Sequence, residues 1–222
     1  LFEEIFERHA RREISAPSGI IAVERARLHA TLLRYVAIER NTTDEWKPSH
    51  FEVAFGQAHG TSANPLNRVE PFSLETSAGP ILISGRIDRI DRLDDVSRII
   101  DYKSKVSVTG KDILAGVALQ LPLYALALEG HLLPNVRCEA AQFIQPGAVK
   151  PTEIMKRDKD EWHERESAVR DGVARCVNGL RGGHFPPAPY DSQCYICAAS
   201  RACRFEQWRV ELKNGSTNES DS

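Results

Sequence analysis

The chain has 222 residues, 41% of them hydrophobic and 27% charged, with a formal net charge of -2. That length supports one substantial folded domain. The near-balance of charge lacks the overall basicity usual in a nucleic-acid-binding domain, although a balanced total can hide a basic groove beside an acidic site. No stretch approaches the roughly 18 consecutive apolar residues that span a bilayer, and the first residues read as a helix rather than a secretory signal.

Residues 1–12, LFEEIFERHARR, put Leu1, Phe2, Ile5 and Phe6 on the inward side of an amphipathic helix and the charges outward. Ala16-Pro17-Ser18-Gly19 breaks that helix, and a second, rich in Ala, Leu and Arg, is predicted over 20–40. A polar connection over 41–49 leads to a strand at 51–56. Residues 57–67, rich in Gly, Ser, Asn and Pro, predict a long mobile loop, and a strand near 69–75 follows it.

Residues 81–105, ILISGRIDRIDRLDDVSRIIDYKSK, are the most informative stretch. Two β-branched, apolar-rich runs, 81–93 and 96–103, flank Asp94-Asp95, and Asp tolerates the left-handed backbone of tight turns. A hairpin centred on that turn puts Leu93 opposite Val96, Ile90 opposite Ile99 and Asp88 opposite Asp101. Opposed residues share a face, with Cβ atoms roughly 4.5–5.5 Å apart. Period-two alternation then puts Asp101 and Lys103 on one face and Ile100 and Tyr102 on the other. Asp88, Asp101 and Lys103 converge. Two facing carboxylates favour protonation of one of them unless a cation intervenes. A hard divalent ion such as Mg²⁺ relieves the repulsion, and the lysine suits a phosphoryl transition state or a nucleophilic water. The alternative is a surface hairpin whose charges face water. A one-residue slip of register would separate the two aspartates.

Further along, 110–130 predicts a helix kinked at Pro122, 136–144 a buried strand, and 159–180 a charged amphipathic helix. Residues 182–189 form a Gly- and Pro-rich linker into a cysteine cluster, and 213–222 read as a disordered tail. The order α-α-β-β-β-β-α-β-α predicts an α/β (α+β) fold, a central mixed sheet flanked by helices. Cys194, Cys197 and Cys203, as C-x₂-C-x₅-C, suit one soft metal better than a disulfide framework. Zinc with His184 as a fourth ligand is one option and no metal another. Cys138 falls in a predicted core strand and Cys176 on a helix, where free cysteines are common.

Gly85-Arg86-Ile87-Asp88 followed by Asp101-Tyr102-Lys103 resembles the core of the PD-(D/E)XK nucleases. Gln120 and Tyr124, one helical turn apart in QLPLY, resemble the pair added in the RecB-type branch, which includes RecB and AddB helicase-nucleases and CRISPR adaptation nucleases. The resemblance implies a restriction-endonuclease-like core in which Asp88, Asp101 and the Tyr102 backbone carbonyl bind Mg²⁺ or Mn²⁺ and Lys103 assists hydrolysis. It makes Gln120 and Tyr124 contacts to the DNA backbone or supports of the site; the alternative is polar residues beside an apolar stripe. Glu3 occupies the family's histidine-ligand position in Glu3-Glu4-Ile5-Phe6-Glu7, against the alternative of a solvated acidic face. Glu7 matches a trailing structural glutamate. Arg86 and Arg89, with Arg92, recur every three residues as candidate phosphate contacts or as a solvated edge.

The cysteine triplet is similar to the iron–sulfur staple of AddB-like nucleases, which implies a [4Fe–4S] cluster whose fourth cysteine lies before the first helix, outside this chain. The expected organisation is one nuclease domain over 1–212, with 190–212 as the cysteine segment, within a larger helicase-nuclease. The implied substrate is DNA, single-stranded or at duplex ends, delivered by a helicase module or a partner protein. The setting is double-strand-break repair in a bacterial cytoplasm, at the nucleoid. The alternatives are a stand-alone CRISPR-adaptation-type exonuclease and a DNA-binding domain with a decayed site.

Overall fold

The computed structural model describes residues 1–13, 17–57, 64–106, 108–148, 151–157 and 161–184. The 58–63 part of the predicted loop, most of the 182–189 linker, the cysteine triplet and the tail lie outside the described residues. Five strands form the main sheet: β1 (Lys47–Phe55), β4 (Gly85–Leu93), β5 (Val96–Tyr102), β6 (Arg137–Ile144) and β7 (Thr152–Lys156), in that spatial order. The pairs β1/β4, β4/β5 and β6/β7 are antiparallel and β5/β6 is parallel, so the sheet is mixed as expected. The parallel pair requires a long crossover. It is supplied by α3 (Gly110–Leu114), α4 (Gln120–Ala127) and a π turn at Leu128–Leu132.

The β4/β5 hairpin has the expected register, with Leu93 opposite Val96 and Ile90 opposite Ile99. Asp94 takes φ = 51°, the left-handed conformation that an aspartate tolerates in a turn. Ile90 and Ile99 are fully buried on one face, Ile87 and Ile100 on the other. Both faces of the hairpin are therefore covered.

The run 81–93 is not one strand. Its first part, β3 (Gly79–Ile83), pairs with β2 (Phe72–Thr76) in a separate two-stranded ribbon, and the chain enters the main sheet only at Gly85. A Cβ at Gly85 would lie 2.7 Å from Tyr124 Cε1 and 2.9 Å from Phe55 Cζ, so the absent side chain lets those rings close on the strand. The predicted 110–130 helix is also divided. Gly116 adopts φ = 69° between α3 and α4, which ends the first piece. Pro122 is the third residue of α4, where its missing N–H breaks no helical bond, so it does not kink the helix. Strand β7 is an addition to the predicted elements.

Helices α1 (Phe2–Glu13) and α2 (Ser18–Asn41) precede the sheet. Of the four apolar residues predicted inward on α1, only Phe6 is buried, while Leu1 and Ile5 are exposed. They face an open groove rather than a packed core. Helix α2 has no buried residue, yet its Tyr35 and Glu39 reach the sheet. Helix α5 (Glu161–Arg181) packs near the crossover, with Gly172 against Gly116.

The chain divides into two compact units, Leu1–Cys176 and Val177–Ser222. The first holds the sheet. In the second, the described residues end α5 with a Gly183 of φ = 65° and a bond from the His184 N–H to the Gly179 carbonyl, a common way to close a helix.

Candidate active site

The site forms where the β4/β5 ladder ends. Ladder pairing runs to Arg89 opposite Ile100, and Asp88 and Asp101 are the next residues on each strand. Rather than facing its neighbour idly, Asp88 accepts a hydrogen bond at Oδ2 from the Tyr102 backbone N–H, 3.0 Å away. The Lys103 N–H goes to the Ile144 carbonyl at 3.0 Å, extending the parallel ladder by one step. The Asp-Tyr-Lys backbone is thus held from both neighbouring strands.

Asp101 is 2% exposed. Its Oδ1 accepts from Gln120 Nε2 on α4 at 2.8 Å. Its Oδ2 is buried without a well-aligned hydrogen bond, and Lys103 Nζ stands 2.8 Å from it as an ion pair. Burial pushes the Asp101 carboxyl above the usual carboxylate range. The Lys103 ammonium beside it pulls it back, and the Asp88 charge pushes it up again. Lys103 is itself partly exposed and lies 5.7 Å from the Phe143 ring centre.

The structure therefore brings Asp88, Asp101, Lys103 and Gln120 together. Tyr124 lies one turn along α4, edge-on to Phe55 with ring centres 6.0 Å apart. It packs the site's base rather than touching the carboxylates.

Glu3 is not gathered in. Its carboxylate lies 3.6 Å from Arg25 on α2, and among the described residues no three His, Cys, Asp or Glu side chains are spaced to hold a metal ion. The remaining donor set still fits Mg²⁺, which is commonly held by one or two carboxylates, water and substrate phosphate. The observation that favours a cation here is Asp101 Oδ2, a buried and under-bonded anionic oxygen.

The arginines part company. Arg86 is half-exposed and pairs with Glu52 at 3.0 Å. Arg89 is 3% exposed and faces the other side of the hairpin, toward α2, so it does not offer itself to a solvent-borne phosphate. Its Nε and Nη2 hold Asp91 at 2.5 and 2.9 Å, and its Nη1 reaches Glu39 at 2.8 Å, Tyr35 Oη at 3.0 Å and Tyr102 Oη at 3.2 Å. Arg98 also binds Asp91, at 2.9 Å, and extends to Asp44 at 2.6 Å. Sequence reasoning does not reach this ionic cluster. Its one local signal is a charged Arg-x-Asp alternation inside an otherwise apolar strand.

A groove of about 740 Å³ opens beside Lys103, walled in part by Phe2, Phe6, Leu28, Leu32 and Tyr102.

Two curated relatives match about half of this chain. One, an ATP-dependent helicase/deoxyribonuclease component of the AddB kind from Symbiobacterium thermophilum, is 34% identical over 112 residues, 46% of this chain and 9% of that protein. Its namesake from Clostridium novyi is 33% identical over 120 residues, 51% of this chain and 10% of that protein. The matched segment is thus about a tenth of each relative's length. The family model that matches covers residues 1–204, nearly the whole chain, and by that match the chain belongs to the PD-(D/E)XK nuclease superfamily.

Proposed function

We propose that this chain is the nuclease domain of a helicase-nuclease of the AddB kind and hydrolyses phosphodiester bonds of single-stranded DNA as an exonuclease. The observation that carries the reading is the buried, under-bonded Oδ2 of Asp101 facing Lys103 beside Asp88. Asp88, Asp101 and the Tyr102 carbonyl would hold Mg²⁺ or Mn²⁺, with water completing the shell, while Glu3 stays with Arg25. When bound, such an ion supplies Lewis-acid stabilisation of charge on the phosphoryl oxygens and the leaving oxygen. Gln120 fixes the rotation of the Asp101 carboxylate by holding Oδ1, so that Oδ2 points outward from the helix. Lys103, whose Nζ stands 2.8 Å from Asp101 Oδ2, would orient the attacking water or meet the developing negative charge.

The aromatic and aliphatic walls of the groove beside Lys103 suit unpaired bases, which stack on aromatic rings without sequence preference. This supports a single-stranded substrate. The names of the relatives, helicase/deoxyribonuclease, support a helicase partner and DNA as the substrate; a role in double-strand-break repair is what the resemblance to the RecB-type branch implies. Cys194, Cys197 and Cys203 would carry a structural [4Fe–4S] cluster in the whole protein.

The test is cleavage of a labelled single-stranded oligonucleotide by the purified protein in Mg²⁺, Mn²⁺ or EDTA, beside Asp101→Ala. Cleavage that needs the metal and vanishes in the variant supports the reading. A folded protein that binds the oligonucleotide but never cuts it would point to a DNA-binding domain instead.

A further inference from the structure

We infer that Arg89 and the Tyr102 hydroxyl are positioning groups: through them helix α2 sets the backbone that carries Asp101 and Lys103. This rests on the proposed reading, in which those two residues serve the metal and the water.

Tyr102 lies between the two site residues in sequence, and strand alternation sends its ring to the opposite face of the sheet. There its hydroxyl lies 3.0 Å from Tyr35 Oη and accepts from Arg89 Nη1 at 3.2 Å. The guanidinium is not free to follow the tyrosine. Two of its nitrogens are fixed to Asp91, which is fully buried and gripped again by Arg98, and the third is also drawn to Glu39. The tyrosine must therefore come to the arginine.

On the site's own side, Asp88 holds the Tyr102 N–H and Ile144 holds the Lys103 N–H. With the hydroxyl's two, four bonds fix this short segment. Two come from the sheet and two from the cluster under α2. The ring alone would fill its place between α2 and the sheet, where it meets Tyr35 edge-on at 5.8 Å. The hydroxyl adds orientation: it sets the tilt of the Tyr102 peptide, and with it the direction of the Tyr102 carbonyl and of the Asp101 carboxylate.

The test uses the whole chain, freed of metal, titrated calorimetrically with Mn²⁺. Tyr102→Phe keeps the ring and removes the hydroxyl; Tyr35→Phe is the second variant, and Asp101→Asn is the control. The expected result is Mn²⁺ binding about fivefold to tenfold weaker in Tyr102→Phe, the size of one modest hydrogen bond. Tyr35→Phe should show a smaller loss. Both variants should still unfold in one cooperative step, and the loss of Mn²⁺ binding should exceed what any fall in folded fraction explains. If Asp101→Asn abolishes Mn²⁺ binding while Tyr102→Phe and Tyr35→Phe bind like the parent, the positioning role is overturned and the nuclease reading stands. If weaker binding only accompanies a lower melting temperature, the hydroxyl is structural and the inference falls. If Asp101→Asn binds Mn²⁺ like the parent, the metal site is misplaced and both fall.

Discussion

The two faces of one hairpin treat buried charge in opposite ways. Toward α2, Arg89, Asp91 and Arg98 interlock with Glu39, Asp44 and two tyrosines, and opposite charges lie 2.5–2.9 Å apart. Toward α4, Asp88 and Asp101 sit near each other with one lysine, and a buried carboxylate oxygen lacks an aligned hydrogen bond. On the α2 face, burial pulls the Arg89 guanidinium down, but hydrogen bonds to Asp91 and Tyr102 outweigh it and keep the charge. On the α4 face, burial wins and pushes Asp101 toward its neutral form. The larger cluster is closed by its own opposite charges, as a structural network is; the smaller one holds a carboxyl with a perturbed titration, the mark of a candidate functional site.

The largest expected effect is on the satisfied face. Arg89→Ala leaves fully buried Asp91 with Arg98 as its arginine partner, and breaking a buried pair in this way costs about 3–5 kcal/mol. Urea denaturation checks it, and a loss below about 1 kcal/mol would put the pair in the range of surface salt bridges. On the other face, added Mg²⁺ should stabilise the parent by about 2.7 kcal/mol at a hundredfold excess over its dissociation constant. Thermal denaturation reads this, and Asp101→Asn should erase it.

Gly85→Ala forces a methyl into Tyr124 and Phe55. Overpacking of this kind costs about 1–3 kcal/mol, and the two-state unfolding free energy is the readout. Next in size is the pH dependence of the metal-free protein. The folded pKa of Asp101 is raised, so the folded state binds the proton more tightly than the unfolded chain does. Stability from this group is present at acid pH and lost as pH rises through the raised value. Asp101→Asn should therefore gain stability on the parent as pH rises toward neutrality, and a constant gap across acid and neutral pH would contradict the shift. The smallest effect belongs to Arg86→Gln. Its pair with Glu52 is half-exposed, so the change should cost no more than about 0.5 kcal/mol.

The hairpin is legible in the sequence because two local rules agree. Asp94-Asp95 marks a turn, and period-two alternation then fixes the partners. What lies beyond local rules is not legible. The run 81–93 carries isoleucines along its length, and its division at Ser84 follows from which strand each half pairs with. The helix over 110–130 looks continuous, but Gly116 turns the chain where it packs against Gly172. Three arginines at every third residue cannot act together on a strand. Spacing by three alternates faces, so Arg86 and Arg92 share one side and Arg89 takes the other. Glu3 matches a motif position, but its neighbour in the structure, Arg25, comes from another helix. Such pairings between distant segments are not written in either segment alone.

The two buried aspartates of this hairpin have different surroundings and, on the proposed reading, different jobs. That division is tested most directly by measuring Mg²⁺-dependent cleavage of single-stranded DNA together with melting temperature for Asp101→Asn and Asp91→Asn. Asp101→Asn should lose cleavage by about a thousandfold, equivalent to about 4 kcal/mol, with a melting temperature equal to or above the parent's. Asp91→Asn should melt well below the parent, while its folded fraction keeps cleavage within about tenfold. An Asp101→Asn protein that still cuts, or one that is lost through unfolding as Asp91→Asn is, would contradict the division of labour between the two faces.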